Sequence, residues 1–121
     1  MVRIAHEHDL STVLYSHGKI DALMNLISDL GFDGLYIAQP EANNLGAVKP
    51  AAVGRLGLLG GIPCSLLAHG EDEAIVKHVA AAVSFLASGG GYVGGVSAEI
   101  TDNIPVKNFF SYLRALPNGK A

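Results

Sequence analysis

At 121 residues the sequence makes one domain at most. Half of it is apolar and only 16% is charged, which excludes a disordered chain and leaves more apolar surface than a free-standing domain of this size needs, so self-association is expected. A net charge of −3 with no Lys/Arg cluster argues against a nucleic-acid surface.

The single cysteine, Cys64, has no partner for an internal disulfide, and a reducing cytoplasm is the expected compartment. Residues 1–9 carry Arg3, Glu7 and Asp9 and no apolar centre, so they do not read as a signal peptide. Residues 79–98 contain no charge and are long enough to span a bilayer. Gly89-Gly90-Gly91 cuts that run in the middle, so it reads as helix, turn and strand, with no membrane partner.

The chain opens with residues 1–9 as the end of a leading helix, anchored by Ile4. The first βα unit spans 12–31. Thr12, Val13, Leu14 and Tyr15 are β-branched or aromatic and form its strand, with Ser16, His17 and Gly18 as the loop. Ile20, Leu23, Met24, Ile27 and Leu30 follow helical spacing as one buried stripe, and Gly31 stands where a helix-ending glycine belongs.

The second unit spans 33–54. Its strand is 34–38, its loop runs from Gln39 to Asn44, and Pro40 stops the strand because it has no N–H for a ladder. A short helix over 45–53 is weakened or kinked at Pro50. The third unit, 56–88, has its strand at 56–60 and its exit at Gly61-Ile62-Pro63. Leu66 and Leu67 form one extra turn there. Glu71, Asp72 and Glu73 then favour a helix start through the helix dipole, and Ile75, Val76, Val79, Val83 and Leu86 are its stripe.

The fourth unit spans 91–116. Residues 92–96 are uncharged and bounded by turn residues, as in a strand covered on both faces. Residues 97–103 turn polar. The last helix runs from about Pro105 to Leu116, and Pro117-Asn118-Gly119 ends it.

Four strands alternating with helices imply an α/β fold with a parallel sheet and right-handed crossovers. Two architectures fit: a small open sheet with helices on both faces, or a (βα)4 half of a TIM-type (β/α)8 barrel. A lone half barrel leaves its outer strand edges unpaired and its interior side chains bare. Two copies about a two-fold axis would hide both, so a homodimer is the expected partner arrangement, with a separate N-terminal half-barrel chain as the alternative.

In such a fold chemistry sits in the loops at the C-terminal strand ends. The residues there are Tyr15, Ser16 and His17; Gln39, Glu41 and Asn43; Cys64; and Ser97, Glu99 and Asp102. Convergence of His17, Glu41 and Glu99 would make an acid/base set or a metal site. The structural alternatives are His17 capping a helix start, solvated glutamates, and Cys64 as a small buried hydrophobe. His6, His8, His69 and His78 read as plain surface residues. Gly60 and Gly61 stand where barrels often hold a phosphate, whereas Gly89-Gly90-Gly91 lies at the opposite face and reads as helix stop and turn. No G-x-G-x-x-G or G-x-x-x-x-G-K-[ST] occurs, which argues against a Rossmann or P-loop site.

Four stretches together carry a family likeness. They are Val13-Leu14-Tyr15-Ser16-His17-Gly18; Gly31-Phe32-Asp33-Gly34-Leu35 with Gln39-Pro40-Glu41; Leu58-Leu59-Gly60-Gly61-Ile62; and Gly89-Gly90-Gly91-Tyr92 leading to Asn103-Ile104-Pro105-Val106-Lys107-Asn108. In order and spacing the chain resembles the C-terminal half of the uroporphyrinogen decarboxylase superfamily, which includes the cobalamin-linked methyltransferases. The resemblance covers nearly the whole chain and implies strands five to eight of a complete barrel. It implies a lyase of porphyrin biosynthesis or a methyltransferase, with a tetrapyrrole or corrinoid ligand. In the methyltransferases three positions in these loops bind zinc, and Tyr15, His17 and Ala98 stand there in this chain. His17 remains as a metal ligand, and Glu99 lies beside the third position.

The sequence therefore leads to a half barrel that assembles into a full one, with little or no catalysis of its own. Tyr15, His17 and Glu99 are its candidate catalytic groups. Gln39, Glu41, Gly60, Gly61 and Ser97 are its candidate substrate contacts. No cofactor is assigned; zinc, with His17 as a candidate ligand, is the one that the resemblance raises. The alternatives are an active superfamily enzyme working as a dimer and a subunit of a split barrel.

Overall fold

The structure, a computed structural model, describes residues 1–117. In chain order it forms α1 (Val2–Glu7), β1 (Val13–Ser16), α2 (Met24–Asp29), β2 (Gly34–Ile37), α3 (Leu45–Ala52), β3 (Gly57–Ile62), α4 (Cys64–His69), α5 (Asp72–Ala87), β4 (Tyr92–Val96) and α6 (Val106–Ala115). Short 3-10 turns at Asp21–Leu23 and Pro40–Ala42 lead into α2 and α3. The expected helix stop at Asn118 and Gly119 lies outside the described residues.

All four strands are parallel, and their order in the sheet is their order in the chain, β1-β2-β3-β4. Right-handed crossovers that step in one direction place every connecting helix on the same face. This removes the arrangement with helices on both faces. The register states the consequence row by row. Leu14, Leu35, Leu58 and Tyr92 lie side by side and pack against the helices. The next row, Tyr15, Tyr36, Leu59 and Val93, points the other way. Val13, Tyr15 and Val93 are exposed there, Val93 at 61%.

The helix side holds two apolar clusters. One joins Ile20, Met24 and Ile27 to Leu35, Ile37, Val48 and Leu58. The other joins Ile62, Leu67, Ile75, Val79 and Val83 to Ile104 and Tyr112, and Tyr92 packs against both. Pro50 sits inside α3 without ending it. The carbonyl its ring would press on belongs to Gly46, which has no side chain to crowd the adjustment.

Several expectations are corrected. Strand β4 is covered on one face only, because the connecting helices all lie on one side of the sheet. Ile4 anchors nothing: it is 54% exposed, and α1 has no buried residue. Leu23 and Leu30 are exposed, since the 3-10 turn before α2 and its end after Asp29 take both off the buried stripe. Strand β3 continues to Ile62, and the turn at Leu66 and Leu67 is a full six-residue helix.

His6 is exposed, as expected, and it also makes a link to a distant part of the chain. Its Nε2 lies 2.8 Å from Asp33 Oδ2, the same oxygen that accepts the Thr12 amide at 2.6 Å and the Thr12 hydroxyl at 3.0 Å. Asp33 thus ties α1 to the entries of β1 and β2. At the other sheet end Asn43 accepts the amides of Ile20 and Asp21 and donates to the carbonyls of Gly18 and Gln39. Asn108, buried in α6, donates to the carbonyls of Leu67 and Gly70 and so closes the end of α4.

The Thr12 amide, then His6 and the Thr12 hydroxyl, hold the Asp33 carboxyl down at about 2, against an ordinary 3.8. A depressed carboxyl stabilises the fold above its unfolded pKa, and that share is lost as pH falls toward the folded one. Urea midpoints measured from about pH 5 to about pH 2 are expected to fall across that window. Asp33→Asn is expected to flatten the fall and lower the midpoint at neutral pH; an unchanged slope would remove Asp33 as its source.

Candidate functional site

At the C-terminal ends of the strands, on the face without helices, a depression of about 460 Å³ is lined by Tyr15, His17, Tyr36, Ala98 and Glu99. Tyr15 and Tyr36 occupy one register row on neighbouring strands, and their rings lie 5.2 Å apart at 41°. His17 stands two residues beyond Tyr15, so it shares that face. Its ring meets Tyr15 edge-on at 5.2 Å and 76°. Ala98 and Glu99 come from the loop after β4. The three candidate catalytic residues therefore border one hollow.

Tyr36 is the residue the sequence reading missed. Its hydroxyl donates to the Val96 carbonyl at 2.6 Å, so the side chain lies across β3 and reaches the end of β4. Loss of water around the ring raises the Tyr36 phenol above its ordinary 10.0, and Tyr15, Cys64 and Glu99 add to the rise. It stays a neutral donor through the physiological range. The available signal was positional: Tyr36 holds in its strand the place Tyr15 holds in β1.

Glycine makes that crossing feasible. Gly60 has φ +79°, and a Cβ there would stand 3.1 Å from Tyr36 Cε1 and 3.3 Å from the Ile37 carbonyl oxygen. A Cβ on Gly95 would meet the Tyr36 hydroxyl at 3.8 Å. Gly60 and Gly61 lie inside β3, paired with Gly94 and Gly95. Gly60 receives the Tyr92 hydroxyl on its carbonyl at 2.8 Å. Gly60 clears space for Tyr36 from within the sheet, whereas a Cβ on Gly61 would meet Leu86 at 3.0 Å on the helix side; neither belongs to an exit loop.

The other candidates stand outside the hollow. Gln39 Oε1 accepts the Gly18 amide at 2.6 Å and braces the loop that carries His17. Glu41 accepts the Ser65 hydroxyl at 3.0 Å, which links the second loop to α4. Ser97 is 4% exposed, and its Oγ accepts the Cys64 amide at the first turn of α4. Cys64 is half-buried, with its thiol directed at the carbonyls of Ala98 (3.5 Å) and Glu99 (3.7 Å). Asp102 is exposed.

Among the described residues no three His, Cys, Asp or Glu side chains gather closely enough to hold a metal ion. His17 and Glu99 are two such groups at the hollow, and Glu41 is not a third. Among the described residues no helix is long and apolar enough to cross a membrane; residues 79–98 divide into α5, a turn and β4.

Gly60→Ala is expected to destabilise the protein by about 1–3 kcal/mol through backbone strain and displacement of Tyr36. Gly89→Ala has the same sign of φ but open space around its Cβ, so it should cost less. Denaturant unfolding of the two variants checks the order, and an equal loss would mean that Tyr36 contributes nothing to the Gly60 effect.

No family model matches the chain, and neither does any curated protein.

Proposed function

We propose that the chain is a (βα)4 half barrel that pairs with a second copy of itself to close a (β/α)8 barrel, and that its role is to supply half of the pocket at the strand ends. One observation carries this reading: the sheet has a bare face bearing Val13, Tyr15 and Val93, and its edge strands β1 and β4 each have a neighbour on one side only. A bare apolar sheet face with two open edges is a surface that calls for cover. A two-fold axis along the strands would set β4 of one copy beside β1 of the other, in parallel, and repeat that junction on the far side. Two unlike edges are then used up together, and the bare face becomes the packed interior of a barrel.

The same pairing would double the hollow and give it a facing wall of its own kind. Tyr15, Tyr36 and His17 supply aromatic surface, and Glu99 a carboxylate, to a planar ligand. The tetrapyrrole or corrinoid expected from the family resemblance is such a ligand. We assign binding to this pocket and little or no catalysis to the unpaired chain, since a hollow with one wall leaves reacting groups in bulk water.

Light scattering on a sizing column over a range of concentrations tests the pairing. The expected mass is twice the 12.5 kDa of the chain. Val93→Lys, which puts a charge on the bare face, is expected to give a folded monomer. A wild-type monomer at all concentrations would sink the reading. For the pocket, uroporphyrin added to the dimer is expected to quench tyrosine fluorescence saturably. Tyr15→Ala should weaken its binding roughly two- to tenfold, the range of one aromatic contact. Quenching that is equal in the Val93→Lys monomer would separate binding from barrel closure.

A further inference from the structure

The opposite end of the sheet holds a second cavity, away from Tyr15 and His17. It measures about 370 Å³ and is lined in part by Lys49, Gly54, Arg55 and the three glycines Gly89, Gly90 and Gly91. Lys49 is only 7% exposed although it lies on a short helix beside solvent. Its Nζ donates to the Gly90 carbonyl at 2.8 Å. Among the described residues no carboxylate forms an ion pair with it. A buried ammonium with one carbonyl partner keeps donors and an unmatched charge facing the cavity.

The rest of the lining has the same polarity. Gly89, Gly90 and Gly91 have φ of +74°, +81° and +69°, and Gly54 has +72°. A Cβ on Gly54, Gly89 or Gly90 would meet nothing within 4 Å, so the backbone is bare toward the cavity. The amides of Gly54, Gly89 and Gly91 make no hydrogen bond among the described residues. Arg55 adds a second cation at the rim, paired with the Asp29 carboxylate at 2.7 Å and donating to Asn25 Oδ1 at 3.2 Å. The Gly90 amide is engaged, donating to the Ala87 carbonyl at 2.9 Å, so the free donors are those of Gly54, Gly89 and Gly91. Backbone N–H groups left free around a concavity take anions.

We propose that this cavity binds a phosphate group, held by the Lys49 ammonium and the free amides of Gly54, Gly89 and Gly91. A tetrahedral oxyanion carries more charge than chloride and spreads its acceptor oxygens in fixed directions, so the ammonium and separate amides each meet an oxygen of their own. The glycine turn thus serves two ends: it stops α5, and it leaves backbone donors uncovered.

Titration of inorganic phosphate into the full-length, 15N-labelled protein at constant ionic strength tests it. The signals of Gly54, Gly89, Gly90 and Gly91 are expected to shift saturably, with a dissociation constant of about 1 mM or tighter, and not to respond to chloride. Lys49→Met keeps the apolar stem and is expected to weaken phosphate binding roughly tenfold or more. Lys49→Arg should retain it. Glycerol 3-phosphate run in parallel identifies the source of the group. Tighter binding than inorganic phosphate indicates a phosphomonoester, and weaker binding indicates the free ion. If Lys49→Met does not fold, Arg55→Gln at the exposed rim is expected to weaken phosphate roughly two- to fivefold. Glycine signals that stay flat, shifts that chloride reproduces, or a folded Lys49→Met with unchanged affinity would overturn the proposal.

Discussion

The handedness of the β-α-β crossover governs this molecule. A right-twisted strand feeding a helix returns to the sheet on one side only. Repeated in one direction, the crossover collects all the helices on one face and leaves the other to whatever the chain can place there. The row of Leu14, Leu35, Leu58 and Tyr92 and the row of Tyr15, Tyr36, Leu59 and Val93 are adjacent in the register and opposite in fate. One is core and the other faces out. The polar groups that could act on a ligand follow from the same constraint, since they end the strands on the side that the helices do not cover.

Much of this was legible from spacing. Four βα units, the split of residues 79–98 by three glycines, and the gathering of Tyr15, His17 and Glu99 at one sheet end all follow from periodicity and turn residues. The surplus of apolar residues and the family resemblance favoured the half barrel and with it the sequential order. Spacing alone left an open sheet and a half barrel both standing, because local patterning records that a crossover occurs but not which way it steps. This is why β4 read as a strand covered on both faces: Tyr92, Val93 and Val96 are apolar enough for either setting, and only the sheet order makes Val93 an outward residue. Ile4 was misread for a related reason. An apolar residue in a short helix looks like an anchor, yet α1 is held by the polar link from His6 to Asp33, which spans 27 positions of the chain.

Side-chain hydrogen bonds to backbone were the least legible layer. Gln39, Glu41 and Ser97 have the residue types of a binding site, and each is engaged in holding a loop. Their partners, the Gly18 amide, the Ser65 hydroxyl and the Cys64 amide, belong to other parts of the chain, so no spacing rule reports them. Tyr36 is the converse case. It reads as an ordinary strand aromatic until Gly60 and Gly95 are seen to leave a channel in which its ring can lie flat. Size complementarity between neighbouring strands, large against none, decided which aromatic reached the site rim.

Each strand pairs only with its predecessor and its successor in the chain. The sheet is therefore assembled from neighbours, with no strand waiting for a distant segment to arrive. Loop-closure entropy is met in small instalments, which keeps contact order below that of a parallel sheet whose neighbouring strands are distant in the chain. It also means that the sheet has a direction of growth. Units can zip on one after another as they emerge from synthesis, each finding its template already laid down, so that the two open edges are the first strand made and the last.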